Sequence, residues 1–135
     1  MSKKQQITQL INNGIITQLV PSSIRGAGVG VRTLSKIDQN EIVFAPRDNC
    51  FVQWGEIHDQ SGAVIDYIKK ICNHNFYGFW IDCNINEIGA AYFVNHSDTP
   101  NLFHNRDSDI YYALRDIEIG EELTCKYLPD EIDWV

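Results

Sequence analysis

No stretch of this sequence approaches the roughly 20 consecutive apolar residues of a membrane-spanning helix, so the chain is expected to be soluble and to have no membrane partner. The opening MSKKQQITQL has two lysines but no continuous apolar segment after them, and no signal peptide is expected. Cysteine is sparse. Cys50, Cys72, Cys83 and Cys125 form no C-x-x-C pair and have no histidine at zinc-finger spacing, so they are expected to be reduced, small buried hydrophobes in a cytoplasmic or nuclear protein, with no metal site. Positive charge is also short: 11 Lys plus Arg against 18 Asp plus Glu give a net charge of −7 and a pI of about 4.9. That balance argues against direct nucleic-acid binding, which needs a basic face, and favours a basic polypeptide as partner. Repeats, low-complexity tracts and linkers are missing too, so residues 1–135 are expected to form one domain.

What is present is an ordinary globular composition, 44% hydrophobic and 11% aromatic, enough for a real core. Ile7, Leu10 and Ile11 at helical spacing with Gly14 behind them predict a short helical extension over 1–14. The stripe of Val64, Ile68 and Ile71 predicts a second helix over 61–73. Short strands are predicted at 15–20, 42–44, 50–54, 76–82, 102–104, 110–114 and 122–126, with a turn at Asp38-Gln39-Asn40, where Asn tolerates positive φ. The class is mostly β with small helices.

Three segments carry the chemical signals. The first is Arg25-Gly26-Ala27-Gly28-Val29-Gly30-Val31, whose glycines let backbone approach a ligand. It is no dinucleotide fingerprint, since Val31 stands where the third glycine is needed and no helix pattern follows. The second is Tyr92-Phe93-Val94-Asn95-His96-Ser97 followed by Pro100-Asn101, a polar turn hung from an apolar strand. The third runs from Arg115 to Tyr127 through Gly120-Glu121-Glu122-Leu123-Thr124. Its glutamates, with Glu118, read as a solvated turn.

In this order the three segments resemble the SET domain, a protein-lysine methyltransferase family that uses S-adenosylmethionine. Its G-x-G opening is matched by Gly26-Ala27-Gly28, its N-H-S turn by Asn95-His96-Ser97, and its closing R-D-I-x-x-G-E-E-L-T-x-x-Y by Arg115 to Tyr127. The resemblance implies a β-clip of small sheets with a C-terminal pseudoknot. It implies cofactor binding by Arg25, Gly26, Ala27, Gly28, Tyr92, Asn95 and His96, and Tyr127 as the catalytic residue. Trp134, in the short tail 128–135, is the candidate for closing the cofactor site. The implied partner is a basic protein, histone-like or ribosomal; no oligomeric state follows. Three departures stand out: Asp98 replaces a frequent Cys, Lys126 a frequent Asp, and Gly30 a frequent Phe, the last expected to open volume near the cofactor. No zinc-binding cysteine cluster follows Tyr127. A SET-like module that binds without turnover, and a purely structural β-clip, are the alternatives.

Overall fold

The computed structural model describes residues 1–45 and 48–128. Helix α1 (Lys3–Asn13) starts at a capping box, in which the Ser2 hydroxyl accepts from the Gln5 N–H at 3.1 Å and the Gln5 side chain accepts from the Ser2 N–H at 2.8 Å. None of its residues is buried, which leaves it an appendage. Helix α2 (Gly62–Ile71) is capped by Ser61 and carries Lys69 and Lys70 in its last turn, where the helix dipole favours cations. Its apolar stripe buries Ile68 against Phe79 and Cys72, forming a small second core.

Among the described residues, nine short strands make four small sheets. β1 (Thr17–Pro21) pairs antiparallel with β2 (Val29–Thr33). β3 (Ile42–Phe44), β8 (Ile110–Ala113) and β7 (Leu102–Asn105) form a three-stranded antiparallel sheet in that order, and β4 (Cys50–Gln53) pairs antiparallel with β5 (Gly78–Ile81). The fourth sheet is parallel: β6 (Asn95–His96) lies beside β9 (Thr124–Cys125), with Asn95 opposite Thr124 and His96 opposite Cys125. The mostly-β expectation holds.

The main core gathers Val31, Leu102, Ala113 and Cys125 from four of these strands, Val94 and Leu123 from the positions just ahead of β6 and β9, and Ile37 and Ile117 from two turns. Each fully buried Ile or Leu stabilises the fold by roughly 1.5–3 kcal/mol. The two turns are built alike. In Ile37-Asp38-Gln39-Asn40-Glu41 and Ile117-Glu118-Ile119-Gly120-Glu121, the fourth residue has positive φ (Asn40 72°, Gly120 92°). In each, the glutamate side chain accepts from a backbone N–H three residues back: Asp38 at 2.8 Å, Glu118 at 2.6 Å. Ile37 and Ile117 then exchange backbone hydrogen bonds at 2.9 and 2.8 Å, bringing the two turns together under the core. Glu121 also pairs with Arg115 at 2.9 Å, which holds its carboxyl below the usual range.

Where strands differ from expectation, hydrogen bonds explain it. The strand predicted over 76–82 begins only at Gly78, because the Asn75 side chain accepts from the N–H of Tyr77 and Gly78 and holds that stretch as an Asx turn. The strand predicted over 122–126 shrinks to Thr124–Cys125 because Leu123 donates instead to Val31 O at 2.7 Å and Glu122 bridges Arg32. The four cysteines are outside any disulfide, but only Cys72 and Cys125 are buried. Cys83 is half-buried, and Cys50, at the start of β4, is exposed, contrary to expectation.

Candidate active site

Gly26 and Gly28 have φ of 80° and 74°, a left-handed backbone that costs an L-residue about 1–2 kcal/mol. A Cβ at either would meet nothing within 4 Å, so glycine is there for the turn and leaves the peptide face open. Gly30 is different. A Cβ there would lie 2.7 Å from Glu122 Oε2 and 3.2 Å from Asn95 Nδ2, so the volume expected to open at Gly30 is filled by these two side chains.

Asn95 and His96 sit on β6, where the parallel pairing with β9 brings them against the C-terminal segment. The Asn95 amide donates to Val29 O at 2.9 Å and to Glu122 at 3.3 Å. His96 Nδ1 accepts the Tyr127 N–H at 2.9 Å, which places its ring proton on Nε2, 3.2 Å from Asp98 Oδ1. The Tyr127 hydroxyl donates to Val94 O at 2.6 Å, and its ring lies 5.3 Å from that of His96. Asp98, the departure from Cys, thus fixes the tautomer that holds Tyr127.

A cavity of about 560 Å³ opens between the two cores, with Val94 and Cys125 of one and Cys72 of the other in its wall. Gly26, Ala27, Tyr92, Asn95 and Tyr127 all line it, so the three sequence segments converge on one space. Arg25 is exposed and, like Gly28 and His96, is not part of the lining; His96 acts from behind Tyr127. Tyr92 offers only its ring, because its hydroxyl donates to Asp82 at 2.6 Å and accepts the Asp82 N–H at 3.2 Å. Burial, then Asp82, pushes its pKa up. Trp134 lies outside the described residues.

Sequence reasoning missed Phe44 and Tyr111 as lining residues. Their rings meet edge to face at 5.7 Å, and Tyr111 stacks at 4.0 Å on His104, whose Nε2 is 2.6 Å from Asp109. Burial pushes the pKa of the Tyr111 hydroxyl up. The Cys72 thiol, in the same wall, is pushed up to about 12 by burial, then by Cys83 and Asp82. It is therefore a neutral lining group and no nucleophile.

Glu122 was also missed; it is no solvated turn residue. Its carboxylate accepts from the Ser22 hydroxyl, from the Ser23 N–H and hydroxyl, and from Asn95. Burial alone would raise its pKa, but these hydrogen bonds outweigh it and hold the carboxyl below its ordinary 4.5. A depressed carboxyl stabilises fully above that ordinary value and loses its contribution as pH falls through the folded value. As pH falls below about 5, Glu122→Gln should therefore lose less urea-measured stability than the parent chain. Equal losses would unlink this ionisation from folding.

The SET domain family model matches residues 28–128. The chain belongs to the SET domain family. It is 31% identical over 123 residues to the Xenopus laevis histone-lysine N-methyltransferase SUV39H1, covering 76% of this chain and 27% of that protein. It is 31% identical over 121 residues to the Danio rerio histone-lysine N-methyltransferase SUV39H1-A, covering 76% and 28%. The chain thus spans about a quarter of the length of these curated relatives. A crystal structure of a Plasmodium falciparum candidate histone methyltransferase superposes with a TM-score of 0.53 at 22% identity, covering 84% of this chain and 93% of that one, a likeness of fold. The small sheets and the β6–β9 pairing are this chain's version of the SET fold.

Proposed function

We propose that this SET domain is an S-adenosylmethionine-dependent protein-lysine N-methyltransferase. The observation that carries the reading is the convergence of Gly26-Ala27, Asn95 and Tyr127 on one cavity whose wall includes the rings of Phe44, Trp80, Phe93 and Tyr111. The cavity's size and the open peptide face at Gly26 and Gly28 fit such a cofactor. When bound, it supplies an electrophilic methyl group carried on a sulfonium. The backbone at Gly26-Ala27 and the Asn95 amide, whose N–H groups are already committed, would hold it; Asn95 is left to accept through Oδ1.

A free lysine amine has a pKa near 10.4 and must lose a proton to the solvent before its lone pair can attack. Beside the rings of Phe44, Trp80, Phe93 and Tyr111 the ammonium form would be disfavoured and the neutral amine supplied, the Asp82 and Asp109 carboxylates of the same lining being engaged by Tyr92 and His104. Tyr127 then positions it. With its hydroxyl proton donated to Val94 O, the phenol oxygen would accept an amine N–H and aim the nitrogen.

The net charge of −7 favours a basic, extended substrate, and the names of the histone-lysine relatives support a histone-like one. The C-terminal segment, paired with β6, would thread beneath the preceding loop as a pseudoknot. Transfer of labelled methyl from S-adenosylmethionine to a panel including histones and ribosomal proteins tests the proposal, with modified lysine expected in at least one. Calorimetric binding without transfer would make the chain a binding module. Failure to bind the cofactor would leave the structural reading.

A further inference from the structure

Glu122 lies one hundred residues from Ser22 in sequence and touches it. Its carboxylate collects five hydrogen-bond contacts. Oε1 accepts from the Ser22 hydroxyl at 3.1 Å and from the Ser23 N–H and hydroxyl at 2.9 Å each. Oε2 accepts from the Ser22 hydroxyl at 2.8 Å and from Asn95 Nδ2 at 3.3 Å. Ser22 Oγ in turn accepts the Ile24 N–H at 3.0 Å, so its single proton is left for Glu122. The Ser22 N–H donates to Gly28 O at 2.7 Å, closing the loop 22–28 at its base. The base of the glycine turn is therefore tied to this carboxylate, which also orients Asn95 in the cavity wall. Every partner is a donor, which only an acceptor-only group satisfies; Gln would turn an NH₂ toward a donor on one side. Gly30 keeps the space, since a Cβ there would strike Glu122 Oε2.

We propose that Glu122 is a positioning residue that couples the 22–28 loop to Asn95 and thereby sets the affinity of the cavity for S-adenosylmethionine. The proposal rests on the methyltransferase reading of the same cavity. Glu122 touches neither Tyr127 nor its partners Val94 and His96 through any of these hydrogen bonds, so it acts on cofactor affinity rather than on the transfer step.

The test compares the parent, Glu122→Gln and the Ser22→Ala/Ser23→Ala pair. It measures S-adenosylmethionine Kd by calorimetry, kcat at saturating cofactor on one basic substrate, and thermal midpoint. Glu122→Gln should raise Kd about tenfold or more while kcat at saturation stays within about threefold, a split that general loosening of the fold does not give. The serine pair should raise Kd similarly, and the triple variant should bind no more weakly than Glu122→Gln, because all three act through one carboxylate. Kd within about twofold of the parent in both variants overturns the proposal, as does a fall in kcat that matches the loss of affinity. Should Glu122→Gln fail to fold, the serine pair decides alone, since it keeps the carboxylate. A parent that binds no cofactor overturns the methyltransferase reading itself and is seen before any variant is made.

Discussion

Tyr127→Phe is expected to slow methyl transfer about 10²–10³-fold while leaving the S-adenosylmethionine Kd within about twofold of the parent. The substitution keeps the ring against His96 and in the cavity wall, and the Tyr127 N–H still reaches His96 Nδ1. Only the hydroxyl is lost, and with it two things. One is the oxygen that would accept from the substrate amine. The other is the 2.6 Å donation to Val94 O, which belongs to a buried residue. Losing that donor costs about 1–3 kcal/mol of stability, so rates should be compared well below the thermal midpoint of the variant. The decisive measurement is single-turnover transfer at saturating cofactor alongside a calorimetric Kd. Turnover equal to the parent's would remove Tyr127 from the reaction. A rate and an affinity that fall together would make it a cofactor contact instead.

Much of this site was legible because its chemistry is local in sequence. The glycines at 26 and 28, the Asn95-His96 pair and Tyr127 each announce themselves by residue type within a few positions. Strand β3 was read correctly because Ile42, Val43 and Phe44 have no competing pattern, and α2 because its apolar residues recur at helical spacing. Strand β2 was hidden inside the glycine run. Its alternation is broken by Gly30, whose smallness answers to Glu122, a residue far away in the chain. Glu122 itself looked solvated because charged residues in a glycine turn usually are, and nothing near it in sequence reveals Ser22 and Ser23 as its partners. Tyr111 and Tyr112 could not be told apart for a similar reason. Adjacent residues on a strand face opposite ways, and only the pairing of Tyr111 with Phe44 and of Tyr112 with Phe103 shows which one faces the cavity. Tertiary hydrogen bonds and sheet register, not local propensity, made these choices.

The largest stability effect is expected at Asn101, the second residue of the Pro-Asn pair. It is 3% exposed, and both ends of its amide are used: Nδ2 donates to Glu122 O at 2.8 Å, and Oδ1 accepts the Thr124 N–H at 2.9 Å. Its own carbonyl accepts the Leu114 N–H at 2.9 Å, so its backbone is pinned as well. The side chain therefore brackets Leu123, which is fully buried, and sets where the chain enters β9. Asn101→Ala would leave the Glu122 carbonyl and the buried Thr124 N–H without these partners, at about 1–3 kcal/mol each. Against a total stability of about 5–15 kcal/mol for a domain, that is a severe loss. For a domain of this length it corresponds to a fall in thermal midpoint of about 10 °C or more. Asn101→Asp separates the two halves of the bracket. It keeps an acceptor for Thr124 but sets a carboxylate oxygen against the Glu122 carbonyl, so it should also destabilise, and most strongly once that carboxyl is ionised. Thermal and urea unfolding of both variants check this, and a midpoint shift under about 2 °C for Asn101→Ala would show that water replaces the lost partners. Because β9 carries the pairing that holds Asn95 and His96, the same variant should lose methyl transfer several degrees below the temperature at which it unfolds.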